Sequence, residues 1–411
     1  MSARRAALLA VAAGLWLLAA SLLWRTRVPG ELQLAHLRPE LLFSGSHLEA
    51  ADDYTGPLRA LWLGSTAAGL VLLWSLARAG PRLAGRLRGT PLVRSLALLV
   101  AVLTALWLVR LPFAAAGHWW RRRHDISRQP YLDWLVSPWL ELAGSLLVAC
   151  VALALAIALA RRLGDRWWLA GGPLLALLGA AALLAQPLLL LPRLEPLRDE
   201  ALAGQIQRLA RLQGLPRVRL EVKRASELTT RANAELAGLG PTRRVVLWDT
   251  LLDGRFPPAE IRAVSAHELA HASRHHLLKG LGWFALAAVP GVFLVAAVSR
   301  RRGGIDDPGN VPAVVLTVVL CLLAAAPGAN VVSRRYEAEA DWIALETTRD
   351  PGALEGLLRR FSTTGLTDPS PPGWASALLG THPSTVDRIA LARAWRDARG
   401  ALRREGPPAG S

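Results

Sequence analysis

Seven apolar runs divide the chain, at about 6–24, 58–77, 93–115, 138–160, 167–191, 281–299 and 311–332. Each is close to or above the ~20 residues a helix needs to cross a bilayer. Between the fifth and sixth runs the pattern changes. Leu202, Ile206, Leu209 and Leu212 recur at helical spacing within 197–212, and Gly214-Leu215-Pro216 ends that helix. Residues 218–222 alternate and predict a strand; 244–248 predict a second, more fully buried one. Pro257-Pro258 starts a helix predicted to run to about Lys279, with Gly280 as its stop. Polar sequence resumes at Ser333. A helix over 333–348 puts Tyr336, Ala340, Ile343 and Ala344 on one side. Another covers about 352–361, Pro369, Pro371 and Pro372 mark a loop, and a last helix covers about 384–404. The Gly/Pro tail beyond it is expected to be disordered.

The pattern predicts a mainly α membrane protein of about seven transmembrane helices in four parts. These are 1–191, with five N-terminal spans and their loops; 192–280, a polar segment; 281–332, two spans; and 333–411, a second polar segment with the tail. The first run is leucine-rich and poorly followed by a small-residue cleavage site, which favours a retained span over a signal peptide. The first loop, about 25–57, carries Glu31, Glu40, Glu49, Asp52 and Asp53 and reads as solvated, Tyr54 included.

Composition supports the membrane assignment. Hydrophobic residues make up 52% and the mean hydropathy is +0.30. Trp24, Trp119, Trp120, Trp139, Trp167, Trp168 and Trp283 fall near run ends, where amphipathic rings anchor at headgroup level. The net charge of +17 is almost all arginine, since only Lys223 and Lys279 are lysines. Arginines gather beside spans, as in Arg121-Arg122-Arg123 and Arg300-Arg301-Arg302, which suits anionic lipid headgroups. No nucleic-acid motif accompanies them, so the bilayer is the expected partner and nucleic acid is not. Cys150 and Cys321 fall in apolar runs and read as buried thiols, not as a disulfide framework.

One constellation carries chemistry. His267-Glu268-Leu269-Ala270-His271 is an HExxH segment; on a helix its two histidines share a face and can hold one zinc ion. Zinc in a hydrolytic site takes three protein ligands and keeps a fourth position open. The best third candidate is Glu337. Asp341 stands four residues on, facing the same way, so that one carboxylate can bind metal while the other accepts the free N–H of a ligating histidine. Glu339 points elsewhere and reads as a solvated surface charge. His275 and His276 read as solvated or interfacial side chains.

These residues bring the chain to a family it resembles, the integral-membrane zinc endopeptidases of the CAAX prenyl protease type I family. The likeness is carried by Asn233-Ala234, the run from Arg243 to Leu252, Glu260 to Val264, HELAH with His276 beyond it, Ser333-Arg334 with Glu337 and Asp341, and Thr381-His382-Pro383 with Arg388-Ile389. Upstream, His124 to Gln129 resembles the loop before that family's fourth span. The resemblance covers roughly 120–395. It implies a membrane barrel with a gluzincin-like zinc protease unit split across the two polar segments. It further implies that His267, His271 and Glu337 bind one zinc per chain, that Glu268 is the general base, and that Asp341 supports a ligand. His382 would lie near the scissile bond, Arg388 would face the site, and Asn233 would contact substrate. Each of these last three also has a plainer role open to it: His382 as a helix start, Arg388 as a carboxylate's partner, Asn233 as a turn residue. Ala270 and Ala272 depart from the family's usual glycine and aromatic, and Glu235-Leu236 from its aromatics.

The expected function is hydrolysis of peptide bonds by a metal-activated water with Glu268 as base. The substrate is a peptide or protein, membrane-associated ones included, and main-chain pairing would run along 245–248 or the Asn233 segment. The rival class is a non-catalytic zinc-stabilised membrane scaffold or receptor; within proteases, it is general quality control of membrane proteins. The arginine-rich composition suggests a bacterial cell membrane; arginines in the even loops would put the catalytic face outside by the positive-inside rule, whereas the resemblance puts catalysis on the cytoplasmic face. No oligomeric state is legible.

Overall fold

A computed structural model describes residues 3–190 and 194–405. The end of the fifth apolar run and the Gly/Pro tail after Glu405 lie outside the described residues. The chain forms helices α1 (Ala3–Trp24), α2 (Gly45–Arg86), α3 (Pro91–Arg123), α4 (Tyr131–Leu163) and α5 (Trp168–Leu190). Strand β1 (Leu194–Pro196), helix α6 (Glu200–Leu212) and strands β2 (Arg219–Lys223), β3 (Ala234–Ala237) and β4 (Arg244–Trp248) follow. Helices α7 (Pro258–Ser273), α8 (His276–Arg300), α9 (Val311–Thr348), α10 (Pro351–Gly365), α11 (Gly373–Leu379) and α12 (Thr385–Glu405) complete the order.

Among the described residues, five helical stretches are long and apolar enough to cross a membrane: Gly45–Arg86, Pro91–Arg123, Leu142–Arg166, His276–Arg300 and Pro308–Thr348. The expected first and fifth spans fall on α1 and α5, within which the apolar stretches counted among the described residues are shorter, Ala10–Trp24 and Trp168–Ala182. Leu15, Val71, Leu147, Val148 and Leu322 are each more than three-fifths exposed, apolar surface of the kind lipid covers. The inner faces of these helices pack into one cluster around Leu73, Leu99, Val102, Ile157 and Val311. Trp167 is part of it and buried, so this ring is a core residue and not a headgroup anchor.

A second cluster lies under the polar segments. It joins Ile206 of α6, Val245 and Leu247 of β4, Leu269 of α7, Leu345 of α9, Leu354 of α10 and Ile389 of α12. Leu42 and Phe43 also enter it. The sheet has the order β1-β2-β4-β3, with β2 and β4 parallel and the outer pairs antiparallel. β4 therefore has a neighbour on each side, and a substrate cannot add to it as expected. β3 is an edge strand.

Other boundaries differ from expectation. The solvated first loop is shorter, because Ser44 caps α2 by accepting from the backbone N–H of His47; Tyr54 lies on that helix, fully buried. Leu212 ends α6 exposed, outside the apolar face that Leu202, Ile206 and Leu209 bury. The HELAH helix does not reach Lys279. It stops at Ser273, and His275 takes a left-handed φ of 54° before α8 starts in a new direction. The seventh apolar run and the helix predicted at 333–348 are one continuous α9 of 38 residues. Both cysteines are only partly buried.

Candidate metal centre

α7 owes its position to its buried side. Pro257-Pro258 sets the start, and Ile261, Val264 and Leu269 enter the polar-segment core. Glu260, buried near the N-terminus, is held by Arg360 at 2.9 Å. HELAH lies in the last two turns, against the polar half of α9.

The two histidines and Glu337 converge. His267 Nε2 lies 3.1 Å from His271 Nε2 and 3.2 Å from Glu337 Oε2; His271 Nε2 lies 3.4 Å from Glu337 Oε1. The three donors form one group within 4.8 Å. Tetrahedral ligands at zinc distances stand about 3.3 Å apart, so this spacing fits the ion. The donor chemistry fits as well. Burial opposes charge on both imidazoles, yet Asp341 and Glu337 raise His267 to about 10. Burial and the neighbouring His267 hold His271 down to about 3. The two carboxylates thus favour one positive charge in the cluster while burial keeps the second imidazole neutral, and neutral imidazole with carboxylate is the donor set a divalent cation takes.

Asp341, fully buried, receives His267 Nδ1 at 2.8 Å, which leaves Nε2 as the metal-facing atom. Arg388 clamps the same carboxylate from α12, Nε to Oδ2 at 2.7 Å and Nη2 to Oδ1 at 2.8 Å. The plainer role for Arg388 is therefore the one it has: it pairs with Asp341 and reaches the cluster through it. His382 does come to the site. Its Nδ1 lies 2.7 Å from Glu337 Oε2, while more than half of its side chain stays exposed. Arg334 holds the backbone that delivers it, donating to the carbonyls of Ser376 and Gly380.

Glu268 turns toward a cavity. Burial pushes its carboxyl up to about 7, against the pull of His267. The backbone N–H of Leu236 on β3 also meets this carboxylate. Asn233 precedes β3 at the same opening; its carbonyl accepts from the N–H of Trp248, and its side chain lines the cavity. The cavity is about 1220 Å³ and runs down between the membrane helices past Leu175, Trp283, Phe284, Ala287 and Val332. Cys321 lies on its wall.

Two residues escaped the sequence reading. Glu339 is wholly buried and His276 nearly so, and they bond each other at 3.0 Å. Glu339 is thus no surface charge: α9 is packed on every side at this level, so the face opposite Glu337 meets α8 and the chain after α1. The left-handed turn at His275 swings His276 back onto His271, where the expected straight helix would have carried it away.

The chain matches the profile of peptidase family M48 over residues 196–396. It is 27% identical over 299 residues to the uncharacterised metalloprotease YhfN of Bacillus subtilis, covering 69% of each chain. It is 31% identical over 204 residues to a protease HtpX homologue of Acaryochloris marina, covering 45% of this chain and 68% of that one. A CAAX prenyl protease 1 homologue of Oryza sativa is 26% identical over 243 residues, covering 53% of this chain and 56% of the relative. In fold, the chain is similar to the crystal structure of S. mikatae Ste24p, with a TM-score of 0.72 at 19% identity, over 93% of this chain and 97% of that one.

Proposed function

The chain belongs to peptidase family M48, and on that premise we propose that it is a membrane-embedded zinc endopeptidase in which His267, His271 and Glu337 hold the metal and Glu268 is the general base. It is a metalloprotease of the CAAX protease type and a multi-pass membrane protein. The observation that carries the finer reading is the triangle of donor atoms 3.1–3.4 Å apart, with Glu268 beside it at the cavity. When bound, zinc supplies a Lewis acid for the scissile carbonyl and makes water acidic near pH 7. Glu268 takes a proton from the attacking water and returns it to the leaving amine; a carboxyl raised to about 7 suits both transfers. His382 donates to Glu337 through Nδ1, so it is as the imidazolium, with a proton on Nε2 as well, that it can donate to the carbonyl oxygen as charge develops there. Arg388 keeps Asp341 ionised and in place, and Asp341 keeps His267 facing the metal.

The substrate backbone adds to the free edge of β3 beside Asn233, so its sequence is read loosely. The apolar cavity sets the substrate class: a peptide or protein with an apolar, membrane-associated segment. That breadth also suits removal of damaged membrane proteins. In this reading 192–280 and 333–411 make the protease unit, and 1–191 and 281–332 its membrane frame. A non-catalytic scaffold would need neither a carboxylate at Glu268 nor a cavity opening onto it. The test is Glu268→Gln in purified protein. Zinc content should stay at one per chain while cleavage of an apolar peptide falls at least ~100-fold; cleavage at the wild-type rate would sink the proposal.

A further inference from the structure

Behind His271 runs a hydrogen-bonded chain that the proposed reaction does not use. His271 Nδ1 lies 3.0 Å from His276 Nδ1, and His276 Nε2 lies 3.0 Å from Glu339 Oε2. Glu339 is 0% exposed. Donors surround it: Arg274 Nε at 2.8 Å, the backbone N–H of Arg27 at 2.9 Å and Lys279 Nζ at 3.4 Å. The Tyr336 ring lies flat on His276, 8° from parallel at 4.7 Å, and fixes its plane.

The protons along this chain follow from donor and acceptor rules. A carboxylate among such donors only accepts, so His276 donates through Nε2. An imidazole with its proton on Nε2 offers a lone pair at Nδ1. His271 must then donate through its own Nδ1, which leaves the His271 Nε2 lone pair facing His267 and Glu337. Asp341 does the same for His267 in a single step. The opposite arrangement, a proton on His271 Nε2, would aim an N–H into the donor triangle and block it.

We infer that His276 and Glu339 are positioning residues for His271, a two-step counterpart of the Asp341 contact to His267. The inference rests on the proposed ligand set. It gives the segment after α1 a place in the site as well, because Arg27 binds Glu339 through its backbone and Lys279 bridges Glu339 to the carbonyl of Arg25. Outer hydrogen bonds of this kind typically change metal affinity by about 10- to 100-fold.

The experiment measures zinc affinity of the purified full-length protein by chelator competition, the visible spectrum of the cobalt-substituted protein, and thermal unfolding of the metal-stripped protein. His276→Ala and Glu339→Gln should each weaken zinc by about 10- to 100-fold and shift the cobalt bands, by more than any accompanying loss of metal-free stability accounts for. His276→Gln, whose side-chain carbonyl can accept the same N–H, should recover most of the affinity. His271→Ala is the control. If it loses zinc while His276→Ala and Glu339→Gln bind as wild type does, the ligand set stands and the relay falls. If His271→Ala itself binds as wild type does, the ligand set is wrong. Zinc loss matched in both variants by equal loss of metal-free stability would overturn the relay too, because packing alone would account for it.

Discussion

Glu337 and Glu339 stand two residues apart on one helix and serve different neighbours. A two-residue step turns a helix by about 200°, so one carboxylate faces HELAH and the other faces α8 and the chain after α1. Asp341, a full turn beyond Glu337, returns to the HELAH side and meets His267. Spacing made that pair legible in the sequence. The fate of Glu339 was not legible, because spacing tells which way a residue faces and not whether anything covers that direction. His382 shows the same limit. Its sequence context allowed a helix start or a site residue; the last helix starts three residues later, at Thr385, and the ring lies 2.7 Å from Glu337. His382→Ala should lower kcat by about 100- to 1,000-fold with little change in KM or zinc content, if its role is to meet charge that develops during reaction. Steady-state kinetics on one peptide checks this, and a change confined to KM would contradict it.

At the scale of elements, the long apolar helices were readable because a bilayer tolerates few other patterns. Their ends were not. α9 runs unbroken from its apolar half into its polar half, since helix propensity does not register where lipid gives way to protein. α7 ends early through one left-handed residue, His275, that no glycine announces. Strand order was also hidden. Both 218–222 and 244–248 read as strands, but pairing between elements made β2 and β4 internal and left β3 as the edge beside the site. Close contact between elements can be tested at Gly80 of α2. A Cβ there would fall 2.1 Å from the carbonyl oxygen of Gly309, in the turn that starts α9. Gly80→Ala should force α2 from that turn and cost about 1–3 kcal/mol, seen as a lower unfolding temperature in detergent. Gly85→Ala on the same helix, where a Cβ meets nothing within 4 Å, should not. Equal behaviour of the two would remove the argument.

For the whole molecule, two cores are joined by α8 and α9, which pass from the membrane cluster to the site. The proposed ligands arrive from α7 and α9, on opposite sides of that excursion through the membrane helices. A metal bridging them acts on the folded state alone and stabilises it by mass action, by about 4 kcal/mol when zinc stands at 1,000 times its Kd. Chelation should therefore lower the unfolding temperature by several degrees, zinc should restore it, and the shift should shrink in Glu337→Gln. A transition indifferent to chelation would show that the halves hold together without the ion.

The sequence by itself determined the helical membrane character, the two polar segments and the HELAH–Glu337–Asp341 set, because these follow from local period, run length and side-chain chemistry. Tertiary structure alone decided which carboxylate is buried, that His276 returns to His271, that Arg388 acts on Asp341 and that β3, not β4, is an edge strand. Each of these depends on contacts between segments far apart in the chain, and the free energy of a contact belongs to both partners, so neither segment read singly contains it.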